Sequence, residues 1–208
     1  MKKIETVFPS LIYRGGFSSS VSKKLNSDLL KEIQYFSKED RMGIDWSKKN
    51  YLGGYTSYAS LSDMQHRAPA FSRLEEMLNK QVEVYAKRLH WERRGLKLRM
   101  TACWINIMPK GTYHTVHAHP LSVISGTYYV QTPSGSVSLK LEDPRISLFM
   151  NAPARKISAP RAEQLYYPIE AKAGNFVFFE SWMRHEVPPN QSKKPRISIS
   201  FNYELQQS

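Results

Sequence analysis

The stretch from residue 97 to residue 132 reads KLRMTACWINIMPKGTYHTVHAHPLSVISGTYYVQT. It opens a series of short runs rich in β-branched and aromatic residues, each of a length that suits a strand. The runs cover residues 97–108, 113–118, 123–132, 136–142, 175–180, 185–188 and 195–205. Turn signals such as Pro109-Lys110-Gly111 separate them. This pattern predicts an antiparallel double sheet, so the expected fold class is mainly β, a jelly roll with a helical N-terminal part packed on it.

The first half of the chain has the pattern of helix and loop. Apolar residues recur at three- and four-residue steps over residues 19–38 and over residues 68–90, and this spacing predicts two amphipathic helices. Residues 40–58 are rich in Gly, Ser, Asp and Tyr, a composition that predicts a loop. A length of 208 residues suits one domain. We therefore expect residues 1–95 to form a helical N-terminal extension, part of the same domain as a jelly-roll catalytic core over residues 96–208.

One long segment interrupts the strand pattern. Residues 144–170 contain Pro144, Pro153, Pro160 and Pro168 together with several basic residues. A loop of this length is usually functional or mobile. We expect either a lid that folds over the mouth of the jelly roll or a surface loop that does not contact the site.

The chain is basic. It has 30 Lys and Arg residues against 18 Asp and Glu residues, a formal net charge of +12. The basic residues occur in small scattered groups, without a long basic tail or zinc-finger spacing, so no nucleic-acid-binding motif accompanies the charge. A generally basic surface, an acidic substrate and a nucleic-acid partner all remain compatible with this composition.

Cysteine content and hydropathy bear on the compartment. Cys103 is the only cysteine, so no intramolecular disulfide can form, and this favours a reducing compartment. Glu5 and Pro9 interrupt any apolar run near the N-terminus that could serve as a signal peptide. No segment approaches about 18 uninterrupted apolar residues, so we expect no membrane span and a cytoplasmic protein.

Two neighbouring histidines and a third far downstream suggest a metal site. His117 and His119 are separated by one residue, and side chains at i and i+2 of a strand point to the same face. Pro120 favours extended backbone at His119. His185, in another predicted strand, can close a triangle of ligands that leaves half of an octahedral sphere free for a co-substrate and dioxygen. His117, His119 and His185 are therefore the predicted metal-binding and catalytic residues.

His114 also lies in this stretch. It precedes His117 by three residues, an odd step along a strand, so we expect its side chain on the opposite face. We expect a structural or supporting role for His114 and not direct metal ligation.

The last predicted strand has two distinct faces. The polar face carries Arg196, Ser198, Ser200 and Asn202, and the apolar face carries Ile197, Ile199, Phe201 and Tyr203. The polar face either meets solvent or lines a cavity, because the interior of a small barrel can hold a ligand. The spacing from His185 favours the cavity. There Arg196 offers a fork of donors and Ser198 a hydroxyl, a combination suited to one carboxylate.

The order His-x-His, a distant His and then Arg-x-Ser resembles the Fe(II)- and 2-oxoglutarate-dependent oxygenases. More narrowly, it resembles their small bacterial and phage branch, whose substrates are unknown. The resemblance covers roughly residues 100–205. It is carried by Trp104-Ile105-Asn106, His117-Ala118-His119-Pro120, Ser125-Gly126-Thr127-Tyr128-Tyr129-Val130, Asp143-Pro144-Arg145, Ser181-Trp182 and Arg196-Ile197-Ser198-Ile199-Ser200-Phe201-Asn202.

The resemblance implies a double-stranded β-helix with iron at one mouth. In this family pattern His117 and His185 match the two metal histidines, and Arg196 and Ser198 match the pair that holds the distal carboxylate of 2-oxoglutarate. His119 departs from the pattern, which usually has Asp or Glu there, so the metal site would be neutral rather than monoanionic. The implied cofactors are Fe(II) and 2-oxoglutarate. The implied reaction uses dioxygen to hydroxylate or demethylate an unidentified substrate while 2-oxoglutarate is decarboxylated to succinate.

Other functions fit some of these residues. A three-histidine zinc hydrase or hydrolase also uses a His-x-His pair with one further histidine, but it would not need Arg196. A non-catalytic jelly-roll binding protein would use the polar cavity for recognition alone. A cupin usually has a glutamate soon after His-x-His, whereas Pro120, Leu121, Ser122 and Val123 follow here.

Overall fold

The structure, a computed structural model, describes residues 3–207. Residues 1, 2 and 208 lie outside the described residues. The predicted segments 1–95 and 96–208 include these positions at their outer ends. The helices are α1 (Ser19–Glu39), α2 (Arg41–Asn50) and α3 (Pro69–Leu89). The strands are β1 (Ile12–Gly16), β2 (Tyr55–Thr56), β3 (Lys97–Met108), β4 (His114–His117), β5 (Ile124–Gln131), β6 (Leu139–Glu142), β7 (Tyr166–Ile169), β8 (Asn175–Glu180), β9 (His185–Val187) and β10 (Arg196–Gln206).

The strands form two antiparallel sheets. The larger sheet has the order β1-β8-β5-β10-β3-β2, and the smaller has the order β4-β9-β6-β7. The prediction of a mainly β jelly roll is confirmed. All seven predicted strands are present, and β3 and β8 have the predicted bounds.

The alternation of side chains along the strands builds two apolar layers. In β8, Phe176 and Phe178 pack with the residues of α1 and α3 on one face of the large sheet. Val177 and Phe179 point to the other face and pack with the small sheet. Successive side chains of a strand point to opposite faces, so one strand supports both layers. The helices therefore cover the outside of the large sheet, and the second layer lies between the sheets.

The prediction of a loop over residues 40–58 is wrong. Residues Arg41–Asn50 form α2, and Tyr55–Thr56 pair with β3 as an edge strand. Short polar helices with few apolar residues carry a weak periodic signal, and this helix instead begins at a side-chain cap, where Asp40 accepts from the Gly43 backbone N–H at 2.9 Å. With β1, which pairs with β8, the N-terminal part contributes two strands to the large sheet in addition to its helices.

The predicted loop over residues 144–170 is interrupted by β7, which pairs with β6. The residues between Pro144 and Leu165 are largely exposed and contain two short 3-10 turns. Within residues 3–207, no helix is both long enough and apolar enough to cross a membrane.

Asp40 joins the elements that follow α1. Its carboxylate is buried and accepts from the Gly43 N–H at 2.9 Å, the Tyr55 hydroxyl at 2.8 Å and the Ser60 hydroxyl at 2.5 Å. These donors lie at the start of α2, in β2 and in the turn after β2. Because a buried carboxylate needs such partners, one side chain fixes the position of α2 relative to the large sheet.

We expect Asp40→Ala to lower the free energy of unfolding by about 2–4 kcal/mol, because three donors lose a charged acceptor. Urea unfolding followed by circular dichroism measures the change. Asp45→Ala is the matched control, since Asp45 forms an exposed ion pair with Lys48 and its removal should change stability by less than about 0.5 kcal/mol. Equal losses in the two variants would contradict the role given to Asp40.

Candidate metal centre

A cavity of about 580 Å³ opens between the two sheets. Its walls include Arg196 and Ser198 from the large sheet and His117 and His185 from the small sheet. The polar face of β10 is therefore turned inward, with Arg196 only 1% and Ser198 only 2% exposed. The cavity interpretation of this strand is correct, and the solvent-facing alternative is excluded.

The structure brings the three predicted histidines together. His117 and His185 are paired residues of the neighbouring strands β4 and β9. Their ring centroids lie 4.3 Å apart, and each lies 5.2 Å from that of His119. One nitrogen from each ring lies within 4.8 Å of the others, close enough for all three to reach one metal ion.

His119 is positioned differently from the prediction. Strand β4 ends at His117, so His119 lies in the turn that follows rather than in strand register. Its backbone N–H donates to the Ser181 carbonyl at 3.0 Å, which ties the turn to the segment before β9. The imidazole still faces the other two, so convergence here depends on the turn and not on strand alternation alone.

Backbone carbonyls orient two of the rings. Nδ1 of His117 lies 2.7 Å from the Thr115 carbonyl oxygen, and Nδ1 of His185 lies 3.0 Å from that of Met183. A carbonyl can only accept, so each Nδ1 carries the proton and donates it, and Nε2 is left with a free lone pair. This is the arrangement in which an outer hydrogen bond fixes the tautomer of a metal-binding histidine.

Burial keeps two imidazoles neutral. Burial, together with the neighbouring His117, lowers the pKa of His185 to about 3 and that of His119 to about 4. A neutral imidazole is the form that binds a metal ion. Protons therefore do not compete for these two lone pairs near pH 7.

The predicted orientation of His114 is wrong. The pairing of β4 with β9 shifts between His114 and His117, and this irregularity breaks the simple alternation of faces. His114 consequently lines the same cavity, with its ring centroid 6.2 Å from that of His117. Its Nε2 lies 2.7 Å from the Tyr51 hydroxyl, and burial lowers its pKa to about 3. With one nitrogen engaged by Tyr51, it falls outside the group of three that converges on one point.

Arg196 is a buried cation without a counter-ion. Its Nη1 donates to the Ser198 hydroxyl at 3.1 Å and lies 3.2 Å from the Met108 sulfur. The guanidinium sits 5.1 Å over the Tyr129 ring. No carboxylate of residues 3–207 forms an ion pair with it, and both its Nε and the Tyr129 hydroxyl are buried with no hydrogen-bond partner among those residues.

A chain of polar side chains forms one wall of the cavity. The Thr56 hydroxyl donates to Asn106 at 3.0 Å, Asn106 donates to Ser200 at 3.0 Å, and the Ser200 and Thr127 hydroxyls lie 3.1 Å apart. These groups come from β2, β3, β10 and β5 in turn. Because each satisfies its neighbour, the wall can stay polar and ordered inside the protein.

Sequence reasoning missed the contribution of the N-terminal part. The cavity is lined by Trp46, Lys49, Asn50, Tyr51, Leu52, Thr56 and Tyr58 from this part of the chain. The segment carried no chemical motif, and its prediction as a loop hid the common face of α2. The contact between the Tyr129 ring and Arg196 was also missed. The pairing of Tyr129 in β5 with Ser198 in β10 places the two side chains close together.

The predicted lid does not reach the opening. No residue of the 144–170 segment is among those that line the cavity in the described part of the chain. This segment connects β6 to β7, and β7 is the edge strand farthest from β4 in the small sheet. The surface-loop alternative is the one that this structure supports.

Part of the chain matches a known protein family. Residues 102–202 match the family model described as "Putative 2OG-Fe(II) oxygenase". No curated protein matches the sequence. The matched range contains all three histidines, Arg196 and Ser198.

Solved structures share the fold. A prolyl-4-hydroxylase from Pseudomonas putida is 13% identical, with 95% of this chain and 94% of that chain covered and a TM-score of 0.60. HygX from Streptomyces hygroscopicus, solved with nickel and 2-oxoglutarate bound, is 10% identical, with 94% and 83% covered and a TM-score of 0.57. A prolyl hydroxylase from Trichoplax adhaerens, in complex with a hypoxia inducible factor peptide fragment, is 14% identical, with 93% and 82% covered and a TM-score of 0.57.

At this level of identity the structural likeness establishes the jelly-roll fold, and the family match adds the chemistry. The cofactors of that family suit the cavity, which offers three convergent imidazoles for a metal and a buried cation for an anion. Residues 102–202 therefore form the oxygenase core described by that family model, and the protein is a 2-oxoglutarate-dependent dioxygenase with Fe(II) and 2-oxoglutarate as its cofactors.

Proposed function

We propose that His117, His119 and His185 hold the Fe(II), and that Arg196 with Ser198 holds the distal carboxylate of 2-oxoglutarate. The protein then hydroxylates an organic substrate, or demethylates it by way of hydroxylation, while 2-oxoglutarate is decarboxylated to succinate. The observation that carries this proposal is the buried guanidinium of Arg196, which lacks a carboxylate partner within residues 3–207 and lies in the same cavity as the three imidazoles.

The surroundings of Arg196 fit a dicarboxylic acid. Burying an unpaired cation costs several kcal/mol, so this site favours an anion that can form an ion pair. Ser198 lines the cavity beside Arg196 and accepts from its Nη1 at 3.1 Å, so the Ser198 O–H is left to donate to a carboxylate that the guanidinium binds. Leu139 and Val187 line the same cavity and suit the methylene groups of a five-carbon diacid.

The three imidazoles fit a divalent metal with open positions. Three imidazoles would fill three positions of an octahedral sphere, and all three line the cavity, so a co-substrate and dioxygen could reach the ion. When bound, Fe(II) supplies the activation of dioxygen, with electrons provided by the oxidative decarboxylation of 2-oxoglutarate. The chain contributes orientation: the carbonyls of Thr115 and Met183 fix two rings before the metal arrives.

Each rival function leaves one part of the site unexplained. A zinc hydrase or hydrolase could use the same three histidines, but water activation has no need of a buried cation beside them. A non-catalytic binding protein would not need imidazoles whose Nδ1 atoms are already engaged and whose other nitrogens converge.

We also propose that residues 1–95 and 96–208 act as one domain in the cytoplasm. Helices α1 and α3 pack on the large sheet, and α2 supplies part of the cavity wall, so neither part forms the site alone. Cys103 is free and buried in the described structure, which suits a reducing compartment.

Removing a metal-binding histidine should abolish stoichiometric Fe(II) binding. We expect this result for His117→Ala and His185→Ala, because two imidazoles alone hold the ion weakly. Anaerobic equilibrium dialysis with metal analysis measures it. His66→Ala is the control, since His66 is exposed and lies outside the cavity. Full binding by either of the first two variants would refute the proposed ligand set.

The site should still bind Fe(II) when a carboxylate replaces the imidazole at position 119. We expect His119→Asp to bind Fe(II) at one equivalent and to change the rate of 2-oxoglutarate consumption, because it restores the anionic ligand that is usual in the family. The same dialysis, together with succinate formation, tests this. A His119→Asp protein that folds but binds no metal would mean that the turn after β4 is built for imidazole alone.

Arg196→Ala should weaken 2-oxoglutarate binding and leave Fe(II) binding nearly intact. Removing one partner of a buried charge pair costs about 2–5 kcal/mol, or about thirty-fold to several-thousand-fold in affinity. Anaerobic titration with Fe(II) and 2-oxoglutarate, followed through their weak visible charge-transfer band, measures the affinity. Arg184→Ala is the control, because Arg184 is exposed and pairs with Glu142. An affinity within a few-fold of wild type in Arg196→Ala would overturn the anchor.

A further inference from the structure

Large aromatic side chains surround the mouth of the cavity. Trp46, Tyr58 and Tyr113 all line it, and they are 38%, 52% and 44% exposed. Aromatic side chains left open to solvent at a concave site are typical of a surface that binds a ligand. Arg196 lines the same cavity but is only 1% exposed, so it lies deeper than these three rings.

The aromatic surface continues inward as far as the histidines. The Tyr58 ring meets the buried Trp104 ring edge-on, with centroids 5.1 Å apart. The Trp104 ring in turn lies 5.8 Å from that of His119. A flat group resting on Tyr58 and Trp104 would therefore lie beside the proposed metal ligand His119, where its atoms can react.

The cavity is positively charged. Among the described residues that line it there are two permanent cations, Lys49 and Arg196, and no Asp or Glu. Lys49 forms no ion pair within residues 3–207, whereas the adjacent Lys48 pairs with Asp45 at 3.2 Å. Trp46 and Lys49 are three residues apart on α2 and so share a helix face. The rim thus presents a cation beside an aromatic ring.

The volume admits a second small molecule. A cavity of about 580 Å³ falls within the range of sites that enclose drug-sized ligands. A bound five-carbon diacid takes only part of this space. Trp46, Tyr58 and Trp104 line the same cavity, so a second ligand can contact these rings while the diacid is bound.

We infer that the substrate is a small organic acid that carries a flat aromatic ring. The ring packs on Tyr58 and Trp104, and the anionic group meets Lys49. This inference rests on the proposed function, because 2-oxoglutarate at Arg196 leaves Lys49 as the cation available to the substrate. A carboxylate and a phosphate would both satisfy Lys49, so the probes include one of each.

The test measures probe binding to the anaerobic protein loaded with Fe(II) and 2-oxoglutarate. The probes are 2-naphthylacetate, 2-naphthyl phosphate, the neutral 2-naphthylacetamide and the non-aromatic decahydro-2-naphthylacetate. Calorimetry should give an affinity for one or both aromatic anions about 1.5- to 5-fold above that for the amide, the gain expected of one exposed ion pair. The non-aromatic acid should bind more weakly than its aromatic counterpart, because it lacks the stacking contribution.

Neighbouring lysines provide a matched pair of variants. Lys49→Gln should remove the preference for the acid over the amide and leave affinity for the amide unchanged. Lys48→Gln should behave as wild type, since Lys48 does not line the cavity. Tyr58→Leu should weaken the binding of the aromatic acid and of the aromatic amide by the same factor. Equal effects of the two lysine changes, or no preference for the acid in wild type, would overturn the inference.

The charge-transfer band separates this inference from the proposed function. If the band forms and no naphthyl probe binds, the substrate class is wrong and the proposed function stands; a polypeptide substrate would give this result. If the band is absent while the aromatic acid still binds through Lys49, the aromatic-acid site stands and the proposed placement of 2-oxoglutarate fails.

Discussion

The buried guanidinium of Arg196 is the constraint on which the cavity depends. A cation taken out of water without a counter-ion is unfavourable by several kcal/mol, and here only Ser198, the Met108 sulfur and the Tyr129 ring offset part of that cost. Apolar side chains cannot collapse onto it without removing its remaining interactions. The space in front of Arg196 therefore stays open, and a ligand that supplies the missing negative charge stabilises the folded state as it binds.

The two halves of the site come from two different sheets. The pairing of β4 with β9 sets His117 opposite His185 in the small sheet, and the inward face of β10 carries Arg196 and Ser198 in the large one. Neither sheet holds a complete site. The distance between the imidazoles and the guanidinium is consequently fixed by the apolar layer between the sheets, in which Phe179 and Val187 also line the cavity. A change in the packing between the sheets would therefore also change the geometry of the site.

The regular alternation of polar and apolar residues made part of the fold and of the site predictable from the sequence. The bounds of β3 and β8 and the two faces of β10 follow from alternation. The grouping of His117, His119 and His185 was also predicted, although the turn after β4 places His119. The wrong predictions for α2 and for His114 have local structural causes. The cap at Asp40 starts α2 where hydrophobic periodicity is weak, and the register shift in β4 turns His114 into the cavity. Tyr51 and Lys49 belong to the site only through the packing of α2 on the sheet, a long-range contact that no local pattern encodes.

The histidine at position 119 changes the charge of the whole cavity. With a carboxylate there, the protein would carry one negative charge beside the metal. With His119, whose low pKa keeps it neutral at pH 7, the described lining has cations and no anions. The two negative charges of a bound 2-oxoglutarate do not balance the positive charges of a divalent metal, Arg196 and Lys49 together, so the loaded cavity keeps a net positive charge. Electrostatic interactions are strong in such a poorly solvated space. The neutral ligand at position 119 and the cation Lys49 therefore act in the same direction: without a carboxylate from the protein beside the metal, the cavity favours a substrate that carries a negative charge.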